Sequence, residues 1–143
     1  MIILQECFDE IKKHAEMSYP NECCGVLLQN AASGTVTEIR SMVNLADPDI
    51  SEEFFYMDPL ELYKVEKEAA EKELMVYGFY HAHPDNEAVP SDEDRSHMIP
   101  GVKYMIIAVD RGLCTDVNVF EKKRPEGGLH HECVYFGNAE RLF

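Results

Sequence analysis

A chain of 143 residues with 45% hydrophobic and 28% charged side chains can bury one proper core and is too short for a comfortable pair of domains. Its 27 acidic against 13 basic side chains give a formal net charge of -14. That charge opposes non-specific attraction to phosphate backbones and anionic lipid, so neither nucleic acid nor a membrane is an expected partner. No apolar run approaches the roughly 20 residues of a spanning helix. Met1 to Phe8 also lacks the basic, apolar and small-residue order of a signal peptide, which points to the cytoplasm.

From Leu4, the apolar positions Leu4, Cys7, Phe8, Ile11 and Ala15 recur at three- and four-residue spacing and predict an amphipathic helix ending before Tyr19-Pro20. Cys24 to Leu28 reads as a buried strand, and Ser33-Gly34 turns the chain into a second strand around Val36 to Val43. Asp58-Pro59-Leu60-Glu61 supplies a capping side chain, a proline at the first helical position and a glutamate three residues after the cap. It predicts a helix to about Glu73, whose charged face is a solvated surface. Leu74 to Tyr80, apolar apart from Gly78, predicts a central strand covered on both faces and leading into His81. Ser91 opens a short helix to about Met98, ended by Pro100-Gly101. Tyr104 to Val109, Asp116 to Phe120 and Cys133 to Phe136 read as further strands, with Arg111-Gly112 and Pro125-Glu126-Gly127-Gly128 as turns. Strands alternating with three helices predict a single α/β or α+β layered domain over residues 1–143.

The cysteines Cys7, Cys23, Cys24, Cys114 and Cys133 are odd in number and contain no C-x-x-C pair, so they read as reduced thiols. Cys23 and Cys24 head an apolar run, where burial as small hydrophobes is the default.

Histidines at i and i+2 of an extended chain project to the same side, about 7 Å apart at the backbone. His81 and His83 can therefore converge on one ion. A catalytic zinc takes three nitrogen or oxygen ligands and leaves a fourth position for water, so one more ligand is required. Asp94 is the best placed, because Pro84 to Pro90 must reverse direction and return the first turn of the next helix to the strand end. The plainer reading of Ser91-Asp92-Glu93-Asp94 is a capping box, and taken alone it is the better one. Beside His-x-His-Pro the metal reading gains. His97, one turn beyond Asp94, reads as a helix-end residue. His14, His130 and His131 have no partner at ligand spacing.

His81-Ala82-His83-Pro84, six residues, then Ser91-x-x-Asp94 resembles the signature of the JAMM metallopeptidases, the MPN-plus family. Tyr19-Pro20-Asn21-Glu22-Cys23-Cys24-Gly25-Val26-Leu27-Leu28 is similar to the segment holding the catalytic glutamate of that family's bacterial members. The resemblance implies a mixed sheet flanked by helices, a fold similar to cytidine deaminase. It further implies a zinc (Zn2+) peptidase or isopeptidase with His81, His83 and Asp94 as ligands, Glu22 as general base and Ser91 stabilising the oxyanion. Ala82 replaces the serine often found between the histidines, at a position that holds no metal.

Compact bacterial members of that family act on sulfur-carrier proteins with ubiquitin-like folds. The shortness of Asn44 to Met57 and of Ile99 to Val102 leaves little room for the insertions that grip ubiquitin chains, which favours a small carrier as substrate. The alternative is a non-catalytic scaffold that binds partners. A nucleoside deaminase would need His-x-Glu and Pro-Cys-x-x-Cys, both absent.

Overall fold

The computed structural model describes residues 1–137. In chain order these form β1 (Ile2–Leu4), α1 (Gln5–Ser18), β2 (Cys24–Asn30), β3 (Thr35–Met42), α2 (Pro59–Glu71), β4 (Leu74–Pro84), α3 (Asp92–His97), β5 (Lys103–Asp110), β6 (Leu113–Arg124), β7 (Gly127–Glu132) and β8 (Tyr135–Gly137). The strands make one mixed sheet in the order β7-β6-β5-β4-β2-β3-β1-β8. The β4–β5, β1–β3 and β1–β8 pairs are parallel, and the remaining pairs are antiparallel.

α1 has no side-chain cap at its start, so it is held by packing: Cys7, Ile11 and Ala15 are buried at every fourth position. They meet Ile3, Leu27, Val36, Tyr80, Ala82, Met105 and Ile107 on one face of the sheet. On the opposite face, Val65 and Ala69 of α2 pack against Cys24, Val26 and Leu28. Farther along that face Met98 covers Ile106, Ala108 and Phe120. Each fully buried Leu or Ile contributes roughly 1.5–3 kcal/mol, which is why β2 and β5, covered on both faces, carry continuous buried runs. α2 begins as the sequence predicts: Pro59 is its first residue, and Asp58 accepts a hydrogen bond from the Leu60 amide at 2.9 Å.

One irregularity in β4 determines where the histidines point. Leu27 pairs with Gly78 and Leu28 with Val76, so Tyr77 is an extra residue in the ladder. Val76 and Phe79 accordingly both pack under α2, whereas Tyr77 and Tyr80 both pack under α1. Strict alternation from Val76 would have sent His81 and His83 to the α1 face; the bulge inverts the phase and turns them toward α2 and α3.

The sheet is larger than the sequence predicts. β4 runs through the histidines to Pro84 instead of stopping at Tyr80. β6 is longer than Asp116 to Phe120, and the last strand begins at Tyr135. β1 and β7 are additional, and the glycines read as a turn at Gly127-Gly128 are already the start of β7. Among the described residues no helix is long and apolar enough to cross a membrane.

Candidate metal centre

The end of β4 is held between β2 and β5, with His81 opposite Cys24 on one side and Ile106 on the other, and His83 opposite Ala108. This buries both imidazoles and fixes their backbone. The loop after Pro84 then returns the chain so that Ser91 caps α3 beside them.

Three side-chain atoms converge there. His81 Nε2 lies 3.1 Å from His83 Nε2 and 3.2 Å from Asp94 Oδ2, and His83 Nε2 lies 3.0 Å from that same oxygen. His83 Nδ1 lies 2.8 Å from the Glu87 carbonyl, an acceptor only, so Nδ1 carries a proton in either charge state, and Nε2 would present its lone pair to a metal in the neutral form of the ring. A tetrahedral ion with bonds of 2.0–2.1 Å needs ligand atoms about 3.3–3.4 Å apart. The observed spacings fall within a few tenths of an ångström of that figure, and the donor set is the nitrogen and oxygen set that zinc accepts. The residues fit a divalent cation.

The two readings of Asp94 turn out to be compatible. The capping box is complete: Ser91 Oγ accepts from the Asp94 amide at 3.0 Å, and the Ser91 amide donates to Asp94 Oδ2 at 2.9 Å. The oxygen that receives the Ser91 amide is the one that faces the imidazoles, so the cap aims the carboxylate. Ser91 itself is exposed, and among the described residues its hydroxyl accepts from the Asp94 amide and donates to no acceptor.

Glu22 approaches from the segment before β2, with Oε1 4.0 Å from His83 Nε2 and only 5% of its surface exposed. Burial pushes its carboxyl up to about 8, reinforced by Asp94 and Glu53 and opposed by His83. Burial also lowers His81. It acts on His83 in the same sense, but there the hydrogen bonds to Asp94 and Glu87 outweigh it and the net direction is upward. Asp94 is held well below the ordinary carboxylate range, because the hydrogen bonds from both imidazoles more than offset its desolvation.

The other titratable groups are peripheral. His97 is a helix-end residue, 72% exposed at its side chain and paired with Glu93 at 3.1 Å. His14 bonds the buried Tyr80 hydroxyl at 2.8 Å on the α1 face, and His131 bonds Asn118 at 3.0 Å. Burial pushes the Cys23 and Cys24 thiols up to about 12, which removes them as thiolate nucleophiles.

Several contributors carry no signature in the sequence. Phe55 stacks on His81 with ring centres 4.7 Å apart. Asn44 donates to the carbonyls of Glu22 and Phe54 and accepts from the amides of Ala46 and Tyr56, so one side chain ties Glu22 to the loop that carries Phe55. A cavity of about 320 Å³ opens onto the cluster, lined by Phe54, Phe55, Met57, Phe79, Met98, Tyr104 and Ile106 together with Glu22, His81, Ser91 and Asp94. An apolar cleft with a few convergent polar groups is the usual form of a ligand site.

The family profile described as prokaryotic homologs of the JAB domain matches residues 4–121. The chain belongs to this family. The match runs from the start of α1 into β6 and takes in Glu22, both histidines, Ser91 and Asp94. The chain is 33% identical over 108 residues to the desampylase of Haloferax volcanii, covering 71% of this chain and 76% of that protein. The solution structure of a protein from Desulfitobacterium hafniense superposes with a TM-score of 0.80 at 26% identity, covering 100% of this chain and 99% of the other. A structure described as a metalloprotease-like zinc site in the proteasome and signalosome shares the fold, with a TM-score of 0.58 at 16% identity over 96% of this chain and 98% of that one.

Proposed function

We propose that this JAB-family protein is a zinc-dependent peptidase or isopeptidase of the cytoplasm, one catalytic domain over residues 1–143. Its reaction is hydrolysis of an amide bond at the C-terminal tail of a small ubiquitin-like or sulfur-carrier protein. The observation that carries the proposal is the convergence of His81 Nε2, His83 Nε2 and Asp94 Oδ2 within 3.0–3.2 Å beside a buried glutamate. A relative named for removal of a small modifier supports the choice of substrate.

His81, His83 and Asp94 would hold the ion. Zinc in a site of this kind lowers the pKa of bound water to about 7 and polarises a carbonyl. Glu22 takes a proton from the attacking water and hands it to the nitrogen of the breaking C–N bond, so that the products are a carboxylate and a free amine. The Glu22 carboxyl is buried beside the cluster, with Oε1 4.0 Å from His83 Nε2, where one group can serve both halves of that transfer. The Ser91 hydroxyl donates to the carbonyl oxygen as it becomes an oxyanion. The apolar lining of the cleft receives the tail and keeps water from the reacting bond.

The test is to incubate the zinc-loaded protein with a ubiquitin-like carrier extended by a peptide beyond a terminal Gly-Gly and to follow the products by mass spectrometry. Release of the extension at a single bond is expected. Tail binding without cleavage would return the scaffold reading.

A further inference from the structure

We propose that Tyr19 and Asp85 form a latch that positions Glu22 against His83. The inference rests on the metallopeptidase reading above and adds a positioning pair to it.

Glu22 lies in the connection between α1 and β2, where no regular ladder fixes it. Two hydrogen bonds bracket it, and both lead to the strand end that carries the histidines. Downstream, the Ala82 amide, between the two histidines, donates to the Cys23 carbonyl at 3.1 Å. Upstream, Tyr19 Oη donates to Asp85 Oδ2 at 2.5 Å, and Asp85 is the second residue after His83. From the other side the Glu22 amide donates to the Ser51 carbonyl at 2.7 Å and its carbonyl accepts from Asn44. The glutamate is thus suspended between a loop and two ties to the end of β4.

Asp85 is built for its part. Its backbone lies in the left-handed region, φ 53°, which aspartate tolerates better than most residues. Its polar groups each engage a different segment: Oδ2 takes Tyr19, Oδ1 accepts the Arg111 amide at 2.8 Å, and its own amide donates to the Val109 carbonyl at 2.7 Å. The Tyr19 ring lies beside the same β5–β6 turn, where a Cβ on Gly112 would come within 3.9 Å of it. Asp85 therefore joins the base-bearing segment, the histidine strand and the neighbouring turn at one carboxylate. Reacting groups misplaced by about 1 Å can lose ~10²-fold in rate. Cutting one of two ties, with the other intact, is expected to lower kcat about tenfold.

Tyr19→Phe removes only the hydroxyl and keeps the ring, and Asp85→Gly removes the carboxylate while tolerating the positive φ. In the zinc-loaded protein, Tyr19→Phe lowers kcat about tenfold with KM and zinc occupancy unchanged, and the same change made in Asp85→Gly has no further effect. A role confined to ring packing would leave kcat intact in the Phe variant, and unlinked roles would make the two losses add. Hydrogen exchange of the metal-free protein gives a readout independent of activity. Tyr19→Phe is expected to speed exchange of the Asp85 and Arg111 amides across the latch as well as that of Glu22. Wild-type exchange at Asp85 and Arg111, or an unchanged kcat in Tyr19→Phe, would overturn the latch. An inert wild-type protein would instead overturn the metallopeptidase reading, with the exchange pattern still deciding whether the tie exists.

Discussion

Substitution of Ser91 separates its observed capping role from the oxyanion role proposed for it. Its Oγ accepts from the Asp94 amide at 3.0 Å, while its amide holds Asp94 Oδ2 at 2.9 Å. Ser91→Ala deletes the first bond and spares the second. An N-cap serine replaced by alanine costs about 1 kcal/mol, and replacement by glycine costs only a few tenths. For a chain of this size that is a fall in melting temperature of roughly 3–5 °C for alanine and little change for glycine. Both variants lack the hydroxyl, and a lost oxyanion donor typically slows turnover ~10²-fold or more. Alanine and glycine should therefore be equally slow and unequally stable, and Ser91→Thr should keep both properties. Differential scanning calorimetry, zinc analysis and tail release measured on the same preparations decide the matter. The reasoning fails if activity follows stability, with the glycine variant close to wild type.

Glu22→Gln preserves shape and leaves the ligands alone, so zinc should stay bound while the rate of tail release falls ~10²- to 10⁴-fold. The same variant carries a pH signature in the metal-free protein. Folding raises the Glu22 pKa from its ordinary 4.5 to about 8, so the folded chain binds this proton more tightly than the unfolded chain. Its contribution favours folding at acid pH and is lost as pH rises from 4.5 to about 8. Denaturation at pH 5 and pH 8 should therefore show Glu22→Gln gaining on wild type at the higher pH; an equal difference at both would contradict the assigned burial. Gly25 faces Tyr80 across the β2–β4 ladder, and a Cβ there would overlap the tyrosine ring, which has 0% exposure. Gly25→Ala should cost the 1–3 kcal/mol of an overpacked core, read from urea unfolding, and a neutral result would show that the ring can shift.

The candidate site was legible where chemistry and local geometry coincide. His81 and His83 share a face because the side-chain period of a strand is two, and Ser91 with Asp94 announces a helix start whose carboxylate also faces the imidazoles. Glu22 was reachable only through the resemblance, because its distance from the histidines along the chain gives no local pattern to read. The Tyr77 bulge, which sets the face of both histidines, leaves no mark in an apolar run that reads equally well with or without an extra residue. Phe55 and Asn44 sit in a connection without periodicity, so nothing local distinguishes them from solvent-facing loop residues. The missed strands have similar reasons. β1 is three residues long and finds its parallel partners in β3 and β8, far along the chain, while β7 opens on two glycines that have the composition of a turn.

The most direct test of the metal site is a zinc titration of metal-free wild-type protein beside His81→Ala and Asp94→Ala, with circular dichroism confirming that each chain is folded. One tightly held zinc per wild-type chain, and loss of that binding in both folded variants, is the predicted result. Full zinc occupancy in either folded variant would contradict the assignment of His81, His83 and Asp94 as the ligands.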